Sequence, residues 1–226
     1  MTDDISREMI PIPAVKRFPS YLRILRQARE SGRKNISATE LAEELSLKPI
    51  QVRKDISSTG IEGKPRIGFV IDELITAINH ALGWDNPTEA LIVGCGNLGS
   101  AIAAYGGFDA YGLKIVAAFD KDPGKIGTRI GDIVVYPMET INQYIKTHRV
   151  TIAVIAVPAS QAQATADLLV GCGIRGIWNF APKDLKIPSD VVLQRTDLAT
   201  SFAVLSIKLR KKLAEETGDD YSEYDI

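Results

Sequence analysis

The sequence predicts an α/β chain of two unlike domains, and three observations carry that prediction. A short apolar run, Ala90-Leu91-Ile92-Val93, leads straight into Gly94-Cys95-Gly96-Asn97-Leu98-Gly99 and then into a helical run of small residues. From Thr88 onward, strand-like apolar runs alternate with helical stretches. Residues 16–66 hold 12 Lys/Arg against 6 Asp/Glu, a local charge of +6 in a chain whose formal net charge is −1. The first two describe a Rossmann-like doubly wound parallel sheet. The third sets a basic helical module before it, and such sign asymmetry points to an anionic partner.

The totals are those of an ordinary globular protein. The chain has 226 residues, 45% of them hydrophobic and 24% charged, enough for one small and one medium domain. Cys95 and Cys172 form neither a metal pattern nor a disulfide framework, which suits a reducing cytoplasm. No run approaches the roughly 18 apolar residues of a membrane helix, and no signal core opens the chain. The expectation is a cytoplasmic protein with no membrane partner and no metal.

Taken in order, residues 1–85 form the first domain. Residues 1–15, polar and proline-containing, read as a loose arm. A helix starts at Pro19-Ser20, with Tyr21, Ile24, Leu25 and Ala28 at i, i+3, i+4 and i+7, and stops at Gly32. Ser37-Ala38-Thr39-Glu40 is a capping-box pattern that opens a short helix through Leu45. A four-residue gap then leads to a third helix with Pro49 in its first turn. Val52 and Ile56 face inward; Gln51, Lys54 and Ser58 share an outward face, with Arg53 and Ser57 beside them. Two short helices joined by a tight turn form a helix-turn-helix, whose second helix enters a major groove of double-stranded DNA. Arginine and glutamine can address base edges, and lysine and serine can hold phosphates. Thr59 to Phe69, rich in glycine, fits a β-hairpin wing whose Lys64 and Arg66 can lie along the DNA backbone or reach into a minor groove. Val70 to Leu82 is an apolar linker helix.

Residues 86–197 form the second domain. In a strand–glycine turn–helix unit, Gly94 permits the turn, Gly96 leaves room for a pyrophosphate, and Gly99 lets the helix pack on its strand. The helix start at Asn97 and Leu98, with Cys95 before it, offers backbone N–H groups to the anion. The next strand, Leu113 to Phe119, ends at Asp120, 21 residues beyond Gly99. A carboxylate there accepts ribose hydroxyls and repels a 2′-phosphate, so it favours NAD over NADP; Lys121 beside it softens that preference. Further strands are expected at 133–136, 151–158, 176–180 and 191–193, with helices over 138–146 and 161–170. Pro158 and Asn179 follow strand ends, where ligands of such sheets bind. Residues 198–226 comprise a helix with Leu198, Phe202, Leu205, Leu209 and Leu213 on one stripe, then an acidic stretch from Glu215 that reads as disordered. That stripe exceeds what a finished domain needs and predicts packing on a partner subunit.

Taken together, these pieces resemble the Rex family of redox-sensing transcriptional repressors over residues 10–213. The most specific are Tyr21-Leu22-Arg23-Ile24-Leu25, Gln51-Val52-Arg53-Lys54-Asp55, Gly94 to Gly99, Phe119 to Gly127, Asn179-Phe180-Ala181-Pro182 and Asp197. The resemblance implies a homodimer that binds operator DNA when NADH is scarce and leaves it when NADH binds, with NADH/NAD+ a ligand that is not turned over. It further implies a C-terminal domain-swapped helix and a relay between subunits through Arg23, Tyr105 and Asp197. The chain departs from the family in the turn Ser57-Ser58-Thr59-Gly60, in the wing Gly63 to Phe69 and at Leu198.

Three other functions fit parts of the chain. One is an NAD-dependent oxidoreductase with an accessory helix-turn-helix; it needs a proton-transfer group near the nicotinamide. The only histidines, His80 and His148, fall in the linker helix and between a helix and a strand. A thiol sensor would use Cys95. A CoA or nucleotide sensor would use the same sheet.

Overall fold

The computed structural model describes residues 10–217 as two compact units. One is the chain up to Thr88 with Gly107–Leu113; the other is Glu89–Gly106 with the chain from Lys114. No helix among the described residues is long and apolar enough to cross a membrane.

The first unit runs α1 (Ile12–Glu30), β1 (Asn35–Ile36), α2 (Ala38–Glu44), α3 (Pro49–Ser57), β2 (Phe69–Val70) and α4 (Ile71–Leu82). α1 begins at Ile12, so residues 12–15 are helix and not part of a loose arm. Pro13 sits in the first turn, where its missing N–H costs nothing. Pro19 lies inside the helix and removes one backbone bond, but the neighbouring Phe18 and Tyr21 are fully buried and hold α1 in the core. Gly32, with φ +81°, supplies the left-handed turn that ends it. The capping box forms as its sequence demands: Glu40 N–H donates to Ser37 Oγ at 3.1 Å, and Ser37 N–H donates to Glu40 Oε2 at 2.8 Å.

Leu22 and Leu25 of α1, Leu41 of α2, Val52 and Ile56 of α3, and Leu74 and Ile78 of α4 complete one apolar core. The wing differs from a regular hairpin. β2 pairs antiparallel with β1, a two-residue strand too short to carry a periodic signal, in the register Ile36↔Phe69. Lys64 and Gly68 close a tight loop through two reciprocal backbone bonds of 2.8 and 2.9 Å. A short 3-10 helix, Gly106–Tyr111, supplies the Ala110 carbonyl that accepts from Arg26 Nη2 at 2.8 Å.

The second unit holds β3 (Thr88–Val93), α5 (Asn97–Ala103), β4 (Leu113–Asp120), β5 (Arg129–Ile130), β6 (Ile133–Pro137), α6 (Ile141–His148), β7 (Ile152–Ile155), α7 (Ala159–Gly171), β8 (Gly176–Asn179), β9 (Val192–Arg195) and α8 (Leu198–Thr217). The sheet order is β5-β6-β4-β3-β7-β8-β9. The pairs β4·β6, β3·β7, β7·β8 and β8·β9 are parallel, and the short added strand β5 pairs antiparallel with β6. β3 lies centrally, and the chain order reverses between β3 and β7, which is where ligands of such sheets bind. Leu91, Val93, Ala117, Phe119, Ala153, Ile155, Ala166 and Leu169 fill the core.

The apolar run 151–158 outlasts its strand. β7 ends at Ile155, and Ala156 and Val157 continue apolar because they pack against the glycine turn. α8 runs to Thr217, so residues 215–217, expected to be disordered, are helix; residues 218–226 of the acidic stretch lie outside the described residues.

Candidate functional site

The glycine turn is fixed by its neighbours on both sides. Gly94 N–H donates to Phe119 O at 2.8 Å, and Ala156 N–H donates to Val93 O at 2.9 Å. Gly94 has φ +96°, and a Cβ there would lie 2.5 Å from Ala156 O. A Cβ on Gly99 would meet Gly94 O at 1.8 Å, so α5 packs on the turn only because position 99 is glycine. Gly96 is different: nothing lies within 4 Å of where its Cβ would stand. Two glycines of the motif therefore serve the fold, and the third leaves space. Asn97 and Leu98, after that space, are exposed in the first turn of α5.

Asp120 ends β4 beside this turn and is 8% exposed. Its Oδ2 accepts from Cys95 N–H at 2.7 Å and from Lys125 Nζ at 3.3 Å, and its Oδ1 accepts from Asp122 N–H at 2.9 Å. Burial raises the carboxyl's pKa, but the bonds from Asp122, Cys95 and Lys125 outweigh it and hold the group below the usual carboxylate range. Sequence spacing suggests Lys121 as the cation beside Asp120; the cation that meets it is Lys125. Asp122 makes that reach possible, because its Oδ1 accepts Gly124 N–H at 2.9 Å and folds the loop back. The Asp122-Pro123-Gly124 order was the available signal.

Cys95 is buried, and burial together with the Asp120 charge pushes its thiol up to about 11. A thiol held protonated is a poor nucleophile, which argues against oxidative sensing there. Pro158 caps α7 at the end of β7 and is exposed. Asn179, 1% exposed, donates Nδ2 to Ala181 O and Lys183 O and accepts Ala181 N–H on Oδ1. It shapes the loop after β8, and both of its amide hydrogens are committed there.

In α3 the outward stripe consists of Ile50, Arg53, Lys54 and Ser57, at i, i+3, i+4 and i+7. This shifts the expected face by one position. Gln51 and Ser58 are half-buried, because Asp55 beneath them is buried and gathers polar partners. Gln51 Nε2 donates to Asp55 Oδ1 at 2.8 Å, and Ser58 Oγ donates to Asp55 O at 2.6 Å. Ser57 Oγ donates to Arg53 O. Lys64 and Arg66 are exposed on the wing loop, where Arg66 takes φ +64°.

Arg23 is exposed on α1, Tyr105 is exposed after α5, and Asp197 accepts Ala199 N–H at 2.8 Å at the start of α8. The histidines are engaged locally. His80 Nδ1 lies 2.8 Å from Asp85 Oδ2, and His148 stacks on Tyr144 with ring centroids 4.0 Å apart. Among the described residues no group of His, Cys, Asp and Glu is arranged to hold a metal.

Two family models match, one described as "CoA binding domain" over residues 85–183 and one as "Putative DNA-binding protein N-terminus" over residues 9–57. The chain is 41% identical to the redox-sensing transcriptional repressor Rex of Treponema denticola, over 92% of this chain and all of that one. It belongs to the Rex family. Rex of Clostridium botulinum strain Alaska E43 is 39% identical over 90% of this chain and 97% of its own.

Solved Rex structures agree. RSP, a Rex-family repressor, has been solved with β-NAD+ and operator DNA; it is 34% identical, with a TM-score of 0.83 over 94% of this chain and 98% of that one. RSP with β-NADH gives a TM-score of 0.82 at 33% identity, over 92% and 98% of the two chains. The fold class read from the sequence, a DNA-binding module before a Rossmann-like sheet, is that of Rex.

Proposed function

We propose that this chain represses transcription as a homodimer on double-stranded operator DNA and is released by NADH, which it binds and does not turn over. The observation that carries the reading is the pairing, in one Rex-family chain, of a cationic helix stripe with a glycine turn that keeps space open at Gly96. That space lies beside a buried, ionised Asp120. A dinucleotide fits these residues. Gly96 admits a pyrophosphate, the N–H groups of Asn97, Leu98 and Gly99 supply partial positive charge, and Asp120 accepts ribose hydroxyls. Bound there, NADH supplies a redox-dependent ring whose charge differs from that of NAD+. Lys125 already neutralises Asp120 in part, so it joins Lys121 in setting how strongly a 2′-phosphate is rejected.

On the DNA side, Arg53 and Lys54 of α3 and Lys64 and Arg66 of the wing contact DNA, Gln51 supports α3 from within, and Ser57 and Ser58 offer acceptor lone pairs only. Pro158 and Asn179 border the dinucleotide through the loops they shape. Arg23, Tyr105 and Asp197 form the relay between subunits. As a repressor acting on operator DNA, the chain works in the cytoplasm. The locally engaged histidines favour a sensor over an oxidoreductase.

A gel shift with the full chain tests the reading, titrated separately with NADH, NAD+ and NADPH. Release by NADH at the lowest concentration supports it. Turnover of NADH with a small substrate would replace it with the enzyme.

A further inference from the structure

The base-reading face of α3 is short of hydrogen-bonding choices. Asp55, 3% exposed, accepts four bonds. Arg17 Nε and Tyr21 OH donate to Oδ2, both at 2.6 Å, and Arg17 Nη2 and Gln51 Nε2 donate to Oδ1 at 2.7 and 2.8 Å. Those four fill the carboxylate's lone-pair directions. Withdrawing Gln51 toward DNA would leave a buried acceptor with one donor fewer. That bond commits one of the two amide hydrogens of Gln51 and holds its side chain half-buried against Asp55, off the outward stripe. The hydroxyl hydrogens of Ser57 and Ser58 are spent on their own helix.

What remains on the stripe is two donors, Arg53 and Lys54, and one apolar side chain, Ile50. Ile50 is 56% exposed at the second position of α3, immediately after Pro49. Residues at the N-terminal end of a recognition helix are those that reach base edges. A large aliphatic side chain held in water at that place is matched by one feature of the major groove, the thymine C5-methyl group.

We propose that Ile50 is a specificity-determining residue that reads a thymine methyl group, beside a Gln51 whose bond to Asp55 holds it off the outward stripe. This rests on the operator-binding reading above. The face then selects guanine through Arg53 and Lys54 and thymine through Ile50.

The test uses the full chain and the tightest duplex it selects from a randomised pool. Each thymine in that duplex is replaced in turn by uracil, which removes only the methyl. For the unaltered protein, one thymine position, with its symmetry mate, is expected to lose about fourfold in affinity, the worth of one buried methyl. Ile50→Ala is expected to be indifferent at that position. Ile50→Val keeps the sensitivity, and so does Gln51→Ala. If no position loses its uracil sensitivity in Ile50→Ala, or if Gln51→Ala is the variant that abolishes it, the proposal is overturned while the DNA-binding reading stands. Failure to select any duplex overturns both.

Discussion

The Asp120 carboxylate accepts the backbone N–H of Cys95 at 2.7 Å across 25 residues of chain. The acid expected to take ribose hydroxyls is thus already the brace that holds the second strand end against the glycine turn. Its two uses are compatible, because a carboxylate accepts about four bonds. Asp120→Ala is therefore expected to cost about 1–3 kcal/mol in NADH affinity, from the lost buried acceptor. The gap to NADPH should narrow, since the repelling charge has gone. Fluorescence titration with both cofactors measures it, and identical isotherms for the variant and the unaltered chain would remove Asp120 from the site.

The three glycines of the turn separate fold from binding. Gly99→Ala places a Cβ where Gly94 O stands. Backbone must move, and the expected loss is about 3 kcal/mol or more of stability, at the upper end of ordinary substitutions. Gly96→Ala meets nothing. Its melting temperature should stay within about 2 °C of the unaltered protein's, as for a change of a few tenths of a kcal/mol, while NADH affinity falls at least tenfold because the methyl occupies the space left for the phosphates. Equal loss of stability in both variants would show that Gly96 also serves the fold.

These outcomes mark what the sequence disclosed. The Gly94 to Gly99 turn, the Ser37–Glu40 box and the 3.6-residue spacing of Val52 and Ile56 are local patterns, and each was legible because it depends on neighbours in the chain. β1 and β5 were not, since a two-residue strand has no period. The Ile12 start of α1 was hidden by Pro19, whose helix-breaking tendency is overridden by burial of Phe18 and Tyr21. Lys125 and the Asp55 cluster were missed for a different reason. Arg17, Tyr21 and Asp55 meet across 34 to 38 residues, and no local spacing encodes such a meeting. No local pattern marks Asp55 as buried, yet its burial decides which residues of α3 face outward.

That cluster makes a pH prediction. Burial raises the Asp55 carboxyl's pKa, and the bonds from Arg17, Tyr21 and Gln51 more than reverse it, so the folded value lies below the ordinary one. A lowered folded pKa contributes stability above the unfolded value of about 3.9 and loses it as pH falls through the folded value. Asp55→Asn keeps the shape and removes the charge, leaving Arg17 without its ionised partner at a part-buried site. The variant is expected to be about 3 kcal/mol less stable at pH 7, with the difference shrinking as pH falls below the unfolded carboxylate value of about 3.9 toward the lower folded one. Urea unfolding across that range checks it, and a gap that stays constant would mean that Asp55 is not the ionised partner of Arg17.

α8 is the last element to test. Leu198, Phe202, Leu205, Leu209 and Leu213 are all more than half exposed in the single chain, with Val204 and Ile207 beside them. A helix of 20 residues spans about 30 Å, and its stripe continues over that length. Soluble monomers seldom leave so much contiguous apolar surface in water. Burying one such side chain is worth about 1.5–3 kcal/mol, so covering the stripe with a second copy can offset the entropy of association, whereas scattered contacts could not. Phe202→Glu with Leu205→Glu puts two charges into that stripe and removes two of its largest contacts. Sedimentation should show the unaltered chain as a dimer and the double variant as a monomer at micromolar concentration, with the dissociation constant raised by at least two orders of magnitude, about 3 kcal/mol. Binding to a two-half-site operator should fall with it, while Gly96 and Asp120 remain intact and NADH binding to the separated subunit persists at reduced affinity. A double variant that remains dimeric would place the dimer contact elsewhere on the chain and leave the exposed face of α8 for another partner.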